Sequence, residues 1–201
     1  TEQSENVEDN SVLVLNMTGT LSERAESNPF SDIMGKVAKS NGLDDILKAI
    51  EKAKDNDKIK GIYIEAGLFS PDSYASLQAI RRALSDFKKS GKWIVAYGDS
   101  YTQGVYYLAS VADKLYINPQ GQIDWHGIAA ERMYMKDLMA KFGVKMQVTK
   151  VGTYKSATEQ FTNDKMSDAD REQTTAIING VWKNVVNEVA ASRKLTAAKL
   201  N

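Results

Sequence analysis

Cysteine is absent from the 201 residues, which excludes disulfides, thiol nucleophiles and cysteine-ligated zinc. Histidine occurs once, as His126. A metal site would therefore have to be built from carboxylates, and no clustered carboxylate motif stands out. Neither a metal nor another cofactor is expected. Lys+Arg and Asp+Glu number 26 each. A net charge of zero removes the electrostatic footprint of a nucleic-acid binder, and no nucleic-acid partner is expected. The thirteen glycines are scattered and form neither a dinucleotide-binding nor a Walker pattern. No apolar run reaches the ~18 residues that a membrane-spanning helix requires.

What is present is an alternation of strand and helix signals. Residues 1–10 are acidic and polar and read as a linker, with a single α/β domain over 11–201. Ser11–Met17 is a short β-branched run that reads as a buried strand. Leu43–Asn56 reads as a helix, Ile59–Glu65 as a strand. Pro71-Asp-Ser73 is a helix start. After it, Tyr74, Leu77, Ile80, Leu84 and Phe87 fall at three- and four-residue spacing and make one apolar stripe. Trp93–Tyr97 reads as a strand, Tyr101–Val111 as a short helix and Lys114–Ile117 as another strand. A strand or turn is expected around Ile123–Ile128. A helix should follow with Tyr134, Leu138, Met139 and Phe142 inward, then strand character over Val144–Val151. From Asp168 to about Lys194 a long helix carries Ile177, Ile178, Val181, Trp182, Val185 and Val189 on one side. Strands alternating with helices predict an α/β domain with a mainly parallel sheet.

Few residues invite catalytic roles. His126 lies in a turn-like segment and reads as structural. Lysine can replace histidine as the base for a serine nucleophile, once burial or nearby positive charge brings it from ~10.4 toward ~7–8. Ser85-Asp-Phe-Lys88 has the Ser-x-x-Lys spacing, but the stripe through Phe87 turns that pair toward solvent. Lys155, in Val151-Gly-Thr-Tyr-Lys-Ser-Ala-Thr-Glu-Gln-Phe161, follows strand character and precedes the long helix. Sites in α/β folds gather at strand ends. By spacing alone, however, Lys155 reads as a surface lysine.

The segment Gly152-Thr-Tyr-Lys-Ser-Ala157 resembles the lysine motif of the SppA-type signal peptide peptidases. Gly61–Glu65, Tyr107–Ser110, Ile117–Gly121, Trp125-His-Gly127 and Met166–Arg171 resemble further segments of that family in the same order. The resemblance covers about residues 12–195. It implies a fold like the crotonase and Clp-protease superfold, present as two tandem copies in long members. It implies a Ser-Lys dyad split between the copies, with Lys155 as general base. Gln103, in Thr102-Gln-Gly-Val-Tyr106, stands where the other copy has its serine. Gly67-Leu-Phe-Ser-Pro71 lacks the paired glycines of the oxyanion turn. The resemblance thus implies the amino-terminal, lysine-bearing copy of a serine endopeptidase that degrades cleaved signal peptides, silent on its own. A carboxy-terminal copy carrying the serine, a homo-oligomer, and an upstream anchor in the bacterial cytoplasmic membrane with this domain on the periplasmic side are the implied partners and setting. Two other readings remain at this point: a non-catalytic scaffold for oligomerisation, or a crotonase-like enzyme acting on acyl-CoA.

Overall fold

The computed structural model describes residues 7–22, 40–149, 152 and 155–201. The chain contacts gather into two compact units. One comprises the described residues of Thr1–His126 with Glu188–Leu200; the other comprises those of Gly127–Asn187 with Asn201.

The first unit is built on a five-stranded sheet in the order β2-β1-β3-β4-β5. Its strands are β1 (Ser11–Ser22), β2 (Ser40–Gly42), β3 (Ile59–Ser70), β4 (Trp93–Gly98) and β5 (Lys114–Ile117). Every pairing is parallel, as the alternation of elements predicts. Parallel neighbours need crossovers, and among the described residues three helices lie between successive strands from β2 to β5: α1 (Leu43–Asp55), α2 (Tyr74–Lys88) and α3 (Gln103–Ala109). Ser73 caps α2 by accepting the Ser76 N–H at 3.1 Å, as the Pro-Asp-Ser start anticipates. The predicted stripe is the buried face: Leu77, Ile80, Leu84 and Phe87 are fully enclosed, with Ile62, Ile64, Ile94 and Ala96 of the sheet. Each of the leucine, isoleucine and phenylalanine side chains contributes about 1.5–3 kcal/mol by leaving water.

β1 and β3 run to 12 residues each, well past the expected Met17 and Glu65. The extensions mix apolar, polar and glycine residues, and they pair in register, Gly19 with Phe69 and Thr20 with Ser70. β1 is also not wholly buried. Leu15, Met17 and Leu21 face the core, whereas Val12 and Val14 are exposed. They share the outer face of the sheet with Tyr63, Trp93, Val95, Tyr97 and Tyr116, because partners in register share a face. On that face the Trp93 indole lies across Gly61. A Cβ built on Gly61 would stand 2.3 Å from the ring, so only glycine admits this close approach.

The four last carbonyls of a helix lack intrahelical partners. At the end of α1, Lys92 Nζ donates to the carbonyls of Ala53, Lys54 and Asn56 at 2.7, 2.9 and 2.8 Å. A cation there also complements the helix dipole. Lys92→Met removes these charge-assisted bonds, and a loss of about 1–3 kcal/mol is expected, read as a shift of the urea midpoint of the chain with an unchanged slope.

In the second unit the sequence and the structure part company. The helix expected near Tyr134 is the short α4 (Lys136–Lys141). Its supposed inward residues Leu138 and Phe142 are 52% and 76% exposed, and Tyr134 and Met139 are half-buried. Residues 144–149 form no strand, and 150 and 151 lie outside the described residues. Without a sheet neighbour to pair with, β-branched residues alone do not make a strand. The unit continues through a 3-10 turn (Ser156–Thr158), α5 (Glu159–Thr162) and most of α6 (Asp168–Arg193). Of the predicted α6 stripe, Val185 and Val189 are buried, but Ile177 is exposed.

Candidate active site

α3 begins just past the carboxyl end of β4, the position at which α/β folds display functional groups. Thr102 caps it by accepting the Val105 N–H, and Gln103 is its first residue. Gln103 is 4% exposed. Its amide Nε2 donates to Tyr74 Oη at 2.6 Å, and its Oε1 accepts the His126 backbone N–H at 2.9 Å. A glutamine holds both polar groups with one side chain, and offers no nucleophile. His126 contributes its main chain to this knot. Its ring is exposed and faces Asp124, 3.3 Å away, which suits the structural role read from sequence.

The Ser85–Lys88 pair is not a dyad. Ser85 is exposed, and Lys88 Nζ is taken by Asp113 at 2.8 Å and by the Val111 carbonyl at 2.9 Å. Burial works against ionisation of Asp113, but Lys88 and the Ile94 N–H outweigh it and hold the carboxyl below its usual range. Of Gly67–Pro71, where the oxyanion turn would lie, residues 67–70 are extended as part of β3.

Lys155 sits in the second unit with its side chain exposed. It precedes the 3-10 turn with φ −92° and ψ 66°. Gly152, three residues earlier, takes φ +98°, a left-handed conformation that glycine adopts without strain; Thr153 and Tyr154 of the motif lie outside the described residues. The far side of the turn is polar and buried. Glu159, 3% exposed, accepts from Ser167 Oγ at 3.0 Å and from the Ser167 N–H at 3.4 Å. Ser167 Oγ accepts the Asp170 N–H at 3.1 Å, capping α6. Asp170 is fully buried and pairs with Arg132 at 2.7 Å.

A second buried polar cluster escaped the sequence reading. Arg81 of α2 is 4% exposed. Its Nη1 donates to the Tyr107 carbonyl and to Ser110 Oγ at 2.6 Å; its Nη2 donates to the Glu188 carbonyl at 2.8 Å and Ser192 Oγ at 2.6 Å. The Glu188 carboxylate lies 3.4 Å from Arg81 Nε and also accepts from Tyr107 Oη and from Gln78 Nε2. Burial pulls the guanidinium below the usual arginine range, against the opposing pull of Tyr107 and Glu188. Burial, then the hydrogen bond to Glu188, pushes the Tyr107 phenol up. The signal was the stripe itself, since position 81 lies four after Leu77 and three before Leu84.

The parallel sheet of the first unit defines an α/β class of protein. Comparison with known proteins narrows it. Residues 86–201 match the profile of Peptidase family S49. The chain is 38% identical over 196 residues to Protease 4 of Salmonella typhi, covering 94% of this chain and 32% of that protein. It is 35% identical over 189 residues to Protease 4 of Haemophilus influenzae, with 91% and 31% covered. It is 26% identical over 180 residues to the chloroplastic serine protease SPPA of Arabidopsis thaliana, with 90% and 25% covered. The chain belongs to peptidase family S49. It spans about a third or less of the length of these curated relatives. Among solved structures, an enoyl-CoA hydratase/isomerase family protein from Silicibacter pomeroyi is a remote likeness, with 13% identity and a TM-score of 0.40 over 96% of this chain and 93% of that one.

Proposed function

We propose that this chain is the lysine-bearing part of a membrane-associated serine endopeptidase that degrades cleaved signal peptides. The observation that carries the reading is an exposed Lys155 on a braced turn in a chain of peptidase family S49. The buried, hydrogen-bonded Gln103 at the serine-like position fits a copy that leaves the nucleophile to its partner.

In the complete enzyme, the neutral amine of Lys155 accepts the proton of a serine hydroxyl from a carboxy-terminal copy. The serine Oγ attacks the scissile carbonyl, and a tetrahedral intermediate forms. The Lys155 ammonium returns the proton to the departing amine, and an acyl-enzyme remains. Water, deprotonated by the same amine, releases the acid. Only a neutral amine can take that proton, and in this reading the serine-bearing copy covers Lys155 and shields it from water. Among the described residues no helix is long and apolar enough to cross a membrane; the anchor of this reading lies upstream, and the domain on the periplasmic side, in a homo-oligomer.

The purified full-length protein is expected to cleave a synthetic signal peptide and to lose that activity on labelling by a serine-directed fluorophosphonate. An intact oligomer that neither cleaves the peptide nor takes the label would point instead to a scaffold.

A further inference from the structure

We propose that Glu159 is a positioning residue for Lys155, its buried carboxylate clamping the turn that carries the lysine onto the first turn of α6. The proposal rests on the reading of Lys155 as a base.

The turn cannot hold itself. Ser156–Thr158 is one 3-10 turn, and α5 has four residues; helices this short have no stability of their own in water. A carboxylate with 3% exposure is costly to bury and persists only when its oxygens are occupied. Each oxygen of Glu159 accepts from Ser167: Oε1 from its Oγ, Oε2 from its N–H. That residue stands at the amino end of a 26-residue helix, where partial positive charge favours an anion. The helix end is itself fastened, because Ser167 Oγ accepts the Asp170 N–H and Asp170 is paired with Arg132. Glu159 begins α5, directly after the 3-10 turn. Ser156, the residue after Lys155, is buried too. Main chain on the carboxyl side of Lys155 is thereby tied to a long element, while the side chain stays exposed.

Catalysis is sensitive to such a tie. A base works when it lies about 2.6–3.2 Å from the proton it takes. A misplacement of about 1 Å can cost on the order of 10²-fold. Glu159 touches neither substrate nor ammonium in this scheme. It acts through the backbone.

The test uses the full-length protein, with kcat expressed per fluorophosphonate-titrated site. Glu159→Ala is expected to lower kcat by about 10- to 100-fold, with KM changed by less than about twofold, since uniform binding is untouched. Ser167→Ala should follow it, and the double variant should be no worse than the poorer single one, because both changes break one clamp. Ser167→Thr, which keeps the hydroxyl, should restore kcat. Glu159→Gln, which keeps one acceptor, should be intermediate. Amide hydrogen exchange of residues 156–162 should accelerate in Glu159→Ala while the middle of α6 stays protected. An unchanged kcat per site, or no rescue by Ser167→Thr, overturns the proposal. Activity surviving Lys155→Ala instead overturns the base reading. The clamp is then judged by exchange alone, and unaltered exchange in Glu159→Ala rejects it.

Discussion

Lys155→Ala in the full-length protein is expected to lower kcat/KM by about 10²–10⁴-fold, the usual contribution of a positioned general base. Lys155→Arg should be equally inactive, because a guanidinium stays protonated in water and in proteins. Neither change should disturb folding. In this chain Lys155 is exposed, and substitutions at such positions usually move the stability of the chain that carries them by no more than about 0.5 kcal/mol. The contrast separates this residue from its brace: loss at Lys155 should be chemical, with the melting temperature of this chain intact. The measurement is steady-state cleavage of a signal-peptide substrate alongside thermal unfolding of each variant. Cleavage at the wild-type rate by Lys155→Ala would end the assignment.

The largest effect on stability is expected at Arg81. Arg81→Met keeps the aliphatic stem but deletes the guanidinium that four acceptors share, in Tyr107, Ser110, Glu188 and Ser192. Removing one partner of a buried ion pair costs about 3–5 kcal/mol. The Glu188 side chain is 33% exposed and retains donors in Tyr107 and Gln78, so the loss belongs at the lower end, about 3 kcal/mol. Against a total stability of about 5–15 kcal/mol, that is severe. Arg81→Lys should recover little, since a single ammonium cannot reproduce the planar fork. Urea unfolding of the chain reads both variants. A loss under about 1 kcal/mol for Arg81→Met would show that the cluster contributes no more than an ordinary hydrogen bond.

The framework of the fold was legible because periodicity reports burial. Leu77, Ile80, Leu84 and Phe87 form the enclosed face that their spacing predicts, and the strands at 93–97 and 114–117 fall where apolar runs placed them. Pairing was not legible. β2 has three residues, Ser40–Gly42, and no apolar content to announce it. The far halves of β1 and β3 pair in register although their composition is mixed. In the second unit, Leu138 and Phe142 follow a helical pattern yet stay exposed, since a pattern marks which residues lie together and not what covers them. The site divides in the same way. Lys155 and Gln103 stand out through the family resemblance of their segments, since by spacing alone Lys155 reads as a surface lysine. Ser167-x-x-Asp170 carries a helix-start signature, but the burial of Glu159 beneath it depends on a tertiary approach that spacing does not encode.

Gly61 and Trp93 face each other on the outer side of the sheet, 32 positions apart in the chain. An added methyl at position 61 would fall inside the indole, and a smaller residue at 93 would leave the bare main chain of β3 open to water. Neither position can drift alone without harm. Across descendants of this gene the two should therefore change in concert, a larger residue at 61 arriving only with a smaller one at 93, so that a sheet contact becomes a correlation in inheritance.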